Sequence, residues 1–331
     1  MRRFLNVVLL SALTSASAFA QAATDDTTPA TQPETTATDS DPTDNKRELT
    51  PAKPATAQTP VVPPMSDVES PVLEWDPAWA RAGTANYVLI GGAVAGTIAF
   101  AIKKPLSRHN LDRPILFDEG ARNALRLKQI NDRFTARDAS DVLLSLETTW
   151  PIMVDSVIVA YGTRRSPHVA FEMAIIDAEA LAISSFVQTL TADIVSRPRP
   201  YVKDCGTPGL PSALNDCVRN TRFRSFFSGH SALAFTGASL VCAHRQHLEL
   251  FGPTADIATC ITAYVAAAAT ATLRVVGDVH YASDVITGAL VGTAVGWLVP
   301  TLHYRRRNRA AGDVNVQIVP QGRGLGLAVQ Y

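Results

Sequence analysis

Six long apolar stretches constrain this chain more than any other feature. They run Ala82–Ile102, Val142–Tyr161, Val169–Ala192, Ser231–Ala243, Ile257–Leu273 and Val285–Tyr304. Each is longer than an ordinary strand and rich in Ala and Leu, which argues helices. The expected class is all-α, a bundle of about six main helices. Ala82–Ile102 and Val285–Tyr304 are long enough to span a bilayer, and they end at Lys103-Lys104 and Arg305-Arg306-Arg307. Against spanning stand Glu172, Asp177 and Glu179 in the third stretch and Glu147 and Asp155 in the second, which are costly in lipid unless turned into the bundle. A transmembrane bundle and a soluble exported one both stay open. The charged connection 103–139 is expected to carry a surface amphipathic helix around Ala121–Phe134.

The two ends read differently. Arg2 and Arg3 precede an apolar run, Phe4–Leu13, and a small-residue site at Ala18-Phe19-Ala20, so residues 1–20 read as a secretory signal, with an uncleaved anchor as the alternative. Residues 21–75 are rich in Thr, Pro, Ala and Asp and cannot bury enough surface to offset their ordering entropy, which makes them a disordered acidic tether. The helical domain then covers 76–312. At 313–331, Val314, Val316 and Ile318, then Leu325, Leu327 and Val329, alternate with other residues about a Gly-rich turn, the pattern of a short β-hairpin.

Net charge is zero with 47% hydrophobic residues, which excludes a disordered chain and gives no reason to expect a nucleic-acid partner. The acids of the tether leave the body mildly basic, as suits an anionic substrate. No Gly-rich phosphate loop, C-x-x-C pair or H-E-x-x-H motif is present, so no nucleotide, metal or other cofactor is expected.

Chemistry is concentrated in three polar islands. Arg197-Pro198-Arg199-Pro200 follows the third stretch, with two planar guanidiniums suited to phosphate oxygens. Ser228-Gly229-His230 opens the fourth, where Ser228 is a good N-cap and the first amides form an anion site beside an imidazole. Arg274 precedes the turn to His280 and Asp284, whose spacing of four would set them on one helix face, the carboxylate orienting the imidazole.

In this order and spacing the islands resemble the type 2 phosphatidic acid phosphatase and vanadium haloperoxidase superfamily, whose pattern is K-x6-R-P, P-S-G-H and S-R-x5-H-x3-D. The resemblance covers about residues 140–304. It implies that His280 attacks phosphorus to give a phosphohistidine, Asp284 orients it, and His230 protonates the leaving oxygen and then activates water. Arg199, Arg274 and the Ser228 and Gly229 amides would stabilise the phosphoryl charge without a metal. Three positions depart from the pattern: Ala192 replaces the lysine, Phe227 the proline and Leu273 the serine. Arg197 is the expected substitute for the missing cation. The implied substrate is a lipid phosphate or a small phosphoester, with a membrane as partner; the alternatives are a catalytically inactive envelope bundle and a vanadium-dependent haloperoxidase.

His109, His168, His244, His247 and His303 are read as structural or solvent residues. Cys205 and Cys217, which bracket a Pro/Gly loop, are disulfide candidates, as are Cys242 and Cys260 near the facing ends of successive helices. Export sets a tension. A chain that emerges outside the cytoplasm before Ala82 and then spans three times would leave Arg199 inside.

Overall fold

The computed structural model describes residues 72–103, 111, 113–206, 217 and 219–305, and the backbone alone of residue 220 and of 315–321 and 324–330. The signal-like segment and the tether up to residue 71 lie outside the described residues. Seven α-helices occur among these: α1 (Thr84–Ile102), α2 (Asp118–Leu125), α3 (Ile130–Trp150), α4 (Pro167–Val195), α5 (Gly229–Leu248), α6 (Pro253–Val276) and α7 (Ala282–Tyr304). The six apolar stretches fall on α1 and α3 to α7. Pro151, which has no N–H to donate, marks the point where α3 continues as a π-helical segment, Pro151–Thr163.

The helices outrun their apolar stretches because charged and polar residues at their ends face inward. Arg245 is buried between Asp155 (2.5 Å) and Asp256 (3.0 Å), and Arg274 reaches Asp141 of α3. The carboxylates that weighed against spanning are turned inward too. Asp177 meets His244 at 2.8 Å, Glu179 meets His303 at 3.1 Å and the Asn86 amide at 2.8 Å, and Glu172 accepts the Ala82 amide at 2.7 Å. His244 and His303 are thus buried structural partners. His247 stacks on Tyr304, and His168 stands exposed beside Glu172. His109 lies outside the described residues.

α4 and α5 form the centre, with Met173, Ile176, Ala234 and Leu240 without exposed surface. The helices run alternately up and down. One end of the bundle holds the three polar islands. The other holds the Asp177–His244 and Glu179–His303 pairs and the entering segment, whose Trp75 and Trp79 pack on Tyr304. Residues 72–75, expected to close the tether, therefore belong to the packed body. Four helical segments, Thr84–Ile102, Ile130–Thr163, Pro253–Val276 and Ala282–Tyr304, are long and apolar enough to cross a membrane, and they expose side chains such as Leu89, Ile98, Ile261, Val265, Leu290 and Leu298.

Two expectations change. The amphipathic helix around Ala121–Phe134 is instead α2 plus the start of α3, broken where the Leu127 amide turns away to the carbonyl of Val276 at 3.1 Å. It is no mere surface element, for Asp118 and Arg122 are buried. The C-terminal hairpin is not part of the supported architecture. The backbone of Asn315–Gln321 runs antiparallel to Gly324–Gln330, but an isolated two-stranded ribbon is marginal in water, and the fold rests on helices alone.

The close approach of α5 and α7 fixes the islands relative to one another. Gly288, Gly292 and Gly296 form a stripe on α7 against Ser228, Ala232 and Thr236 of α5 and its cap. A Cβ on Gly292 would stand 2.0 Å from the Ala232 carbonyl oxygen, and one on Gly288 2.5 Å from that of Ser228. Gly292→Val should force the helices apart, costing about 1–3 kcal/mol in chemical denaturation. Gly91→Ala, on open surface of α1, should be neutral or stabilising by up to about 1 kcal/mol.

Candidate active site

The islands converge on Asp284. It is the third residue of α7, and its Oδ2 accepts the Tyr281 amide (2.9 Å), which caps the helix start, and the Ser225 hydroxyl (2.6 Å). Its Oδ1 accepts from Arg197. Its main-chain carbonyl accepts the Ser228 amide at 3.1 Å. One residue thus ties the Arg197–Pro200 turn, the start of α5 and the start of α7 together.

His280 stands in the turn before α7, not on the helix, so its spacing from Asp284 does not act as helical spacing would. Its Nδ1 lies 2.8 Å from the Ser225 carbonyl and 3.8 Å from Asp284 Oδ2. A carbonyl only accepts, so Nδ1 carries the proton and Nε2 keeps its lone pair. Asp284 therefore orients His280 at one remove, by holding Ser225 through its hydroxyl.

His230, on the first turn of α5, has Nε2 2.7 Å from Asp141 Oδ1, and the same oxygen accepts from Arg274 Nη1 at 2.7 Å. Ser228 caps the helix, its Oγ accepting the Ser231 amide at 3.3 Å. Its own amide is spent on the Asp284 carbonyl, so it is not the phosphate donor the sequence suggested. Gly229 lies against Gln188, where a Cβ would come within 3.1 Å.

Arg199 is half-buried and its Nε is fully enclosed, with no hydrogen-bond partner among the described residues. Its charge, with that of Arg274, reaches both imidazoles. Burial first, then these guanidiniums, hold His280 well below the ordinary histidine range; burial and Arg274 hold His230 down to about 4, against the opposing pull of Asp141.

Arg197 departs from expectation. It is 1% exposed and clamped between Asp118 and Asp284, with Ser283 Oγ at 2.9 Å and the Tyr281 ring beneath it. It braces the site and has no edge to offer phosphate. Ala192 is buried and brings no cation. The group overlooked in the sequence is Arg224, buried with Nη2 on the carbonyls of Phe100 and Lys103 (both 2.7 Å) and close enough to Arg199 for their charges to oppose. Asp118 and Asp141, also overlooked, sit far upstream of the islands, and no local pattern marks them. Disulfides join Cys205 to Cys217 and Cys242 to Cys260, with Cα separations of 5.9 and 4.8 Å.

Residues 174–308, about two-fifths of the chain, match the family model described as the PAP2 superfamily. The likeness to the PAP2 superfamily is shown over that segment. No curated protein and no solved structure gives a match. The matched region contains all three islands, and PAP2 membership supports phosphatase-type chemistry on phosphoesters in broad terms. Asp118 and Asp141 lie upstream of it.

Two outcomes follow for this site. Arg197→Met would leave two buried carboxylates unpaired and should cost about 3–5 kcal/mol in chemical denaturation. Both histidines are neutral in the fold at pH values where the unfolded chain, with imidazoles near pH 6.5, takes up protons. Their contribution is therefore fully present above about pH 6.5 and is lost as pH falls toward about 4. Between about pH 7.5 and pH 5 the denaturation midpoint of the native protein should drop more than that of His230→Asn.

Proposed function

We propose that the chain is a phosphoester hydrolase working through a phosphohistidine at His280, with a lipid phosphate as substrate. The observation that carries this reading is the enclosed, partnerless Nε of Arg199 beside two histidines held neutral by burial and positive charge. Asp141 answers Arg274, but no carboxylate pairs with Arg199 among the described residues, and phosphate supplies charge and acceptor oxygens together. In the first step His280 Nε2 attacks phosphorus in line with the leaving oxygen, which takes a proton from His230. In the second, water attacks the phosphohistidine, returns a proton to His230 and releases phosphate. Arg199, Arg274 and the Gly229 and His230 amides at the start of α5 hold the phosphoryl oxygens. Arg224 contributes the charge that Ala192 does not.

The apolar faces of the four long helices favour a substrate presented by a membrane, where a phosphorylated headgroup can meet the site end of the bundle. The two disulfides lie toward opposite ends of α5. Because disulfides persist in oxidising compartments, both ends of the body belong outside the cytoplasm, in line with the signal-like start of the chain. This placement removes the tension over Arg199 by having the body sit against the membrane instead of crossing it.

Inorganic phosphate release from phosphatidic acid vesicles and from p-nitrophenyl phosphate tests the reading. His280→Ala should lower turnover by about 10³ or more, and vanadate should inhibit. Halide oxidation in the presence of vanadate without phosphate release would favour the haloperoxidase; neither activity would favour an inactive bundle.

A further inference from the structure

Asp141 is hydrogen-bonded to both a histidine and an arginine of the candidate site, and nothing in the three islands accounts for it. It lies on α3, upstream of the family match. A single oxygen, Oδ1, is 2.7 Å from His230 Nε2 and 2.7 Å from Arg274 Nη1, and the side chain is 29% exposed.

The geometry points to Asp141 as the positioning residue for the proton that His230 delivers: its carboxylate takes the Nε2–H of the imidazole and leaves Nδ1 to serve the leaving oxygen. This rests on the phosphatase reading. A carboxylate only accepts, so Nε2 is the protonated nitrogen in the neutral ring, and the acid form needs a second proton at Nδ1. Around His230 stand Arg274 of α6, Arg199 of the turn after α4, and His280 of the turn before α7. The two guanidiniums disfavour that second proton and Asp141 favours it. The site therefore has two carboxylate-steered imidazoles with opposite duties. Asp284 works through Ser225 to keep a lone pair on His280, and Asp141 works directly to keep a proton available on His230. In the first step the His280 Nε2–P bond forms, the P–O bond to the leaving group breaks, and the Nδ1 proton of His230 goes to that oxygen. In the second, the bond from water oxygen to phosphorus forms, the P–N bond breaks and a water proton returns to Nδ1.

Asp141 could serve Arg274 alone, and leaving-group chemistry separates the two roles. An alkoxide needs protonation to depart; p-nitrophenolate does not. Loss of Arg274 alignment weakens phosphoryl stabilisation for both esters alike. Asp141→Asn should therefore lower kcat/KM for an alkyl phosphate such as glycerol phosphate by about 10²–10³, as expected for lost general acid catalysis. For p-nitrophenyl phosphate the loss should stay below about tenfold. Asp141→Glu, which keeps the charge, should recover part of the alkyl phosphate rate. Histidine NMR titration should give His230 a lower pKa in Asp141→Asn than in the native protein. Equal losses on the two esters, no loss on either, or an unchanged His230 titration would overturn the assignment. Phosphatidic acid vesicles serve as the alkyl phosphate if glycerol phosphate is not turned over; if the native protein releases phosphate from none of these esters, the phosphatase reading itself fails and this proposal with it. Activity in the native protein with equal losses in the variant removes the role of Asp141 alone.

Discussion

The buried carboxylate of Asp284 is the joint on which the rest of the site depends. It has no exposed surface, and an ionised group in that position is stable only when charge and donors surround it. Arg197, the Ser225 hydroxyl and the Tyr281 amide meet that requirement, and each comes from a different part of the chain. Satisfying one carboxylate therefore draws the turn after α4, the approach to α5 and the start of α7 into one place. Asp118 extends the joint by holding Arg197 from the other side and accepting both the amide and the hydroxyl of Ser283 (each 2.8 Å). In this way α2, a short helix outside the bundle proper, becomes part of the support.

The same economy of placement governs the opposite end. A bundle whose central helix carries Glu172, Asp177 and Glu179 must pair each of them, and Ala82, His244 and His303 with Asn86 do so. These pairs pin α1, α5 and α7 to α4. Each of these carboxylates has its own partner, whereas at the site end no carboxylate pairs with Arg199 among the described residues and its enclosed Nε has no acceptor. The two ends use similar residue types differently: at one the carboxylates are met by imidazoles, an amide side chain and a backbone amide, and at the other a guanidinium is left for an anion.

Much of this was legible in the sequence. The six apolar stretches locate the helices, and the three islands contain His230, His280, Arg199, Arg274 and Asp284, all of which the structure gathers at one end. The roles within the cluster were less legible. Arg197 and Arg199 are two residues apart with the same chemistry, yet one is locked between carboxylates and the other faces the site; only the direction in which the chain leaves α4 distinguishes them. His280 and Asp284 are spaced as on a helix, but α7 begins between them, so a carbonyl and a hydroxyl from Ser225 come between imidazole and carboxylate.

Asp118 and Asp141 show where sequence reasoning stops. Asp118 is one acid among several in the charged connection and Asp141 one of several along α3, and no local pattern sets either apart. Hydrophobic length and local motif by themselves determined a helical bundle with a phosphate-type cluster, because periodicity and short-range spacing are properties of the chain. The choice of which arginine is spent on structure, which nitrogen of each histidine is left to react, and which distant carboxylate steers His230 was made only by tertiary packing, because a buried charge takes its partners from whatever the fold brings within about 3 Å.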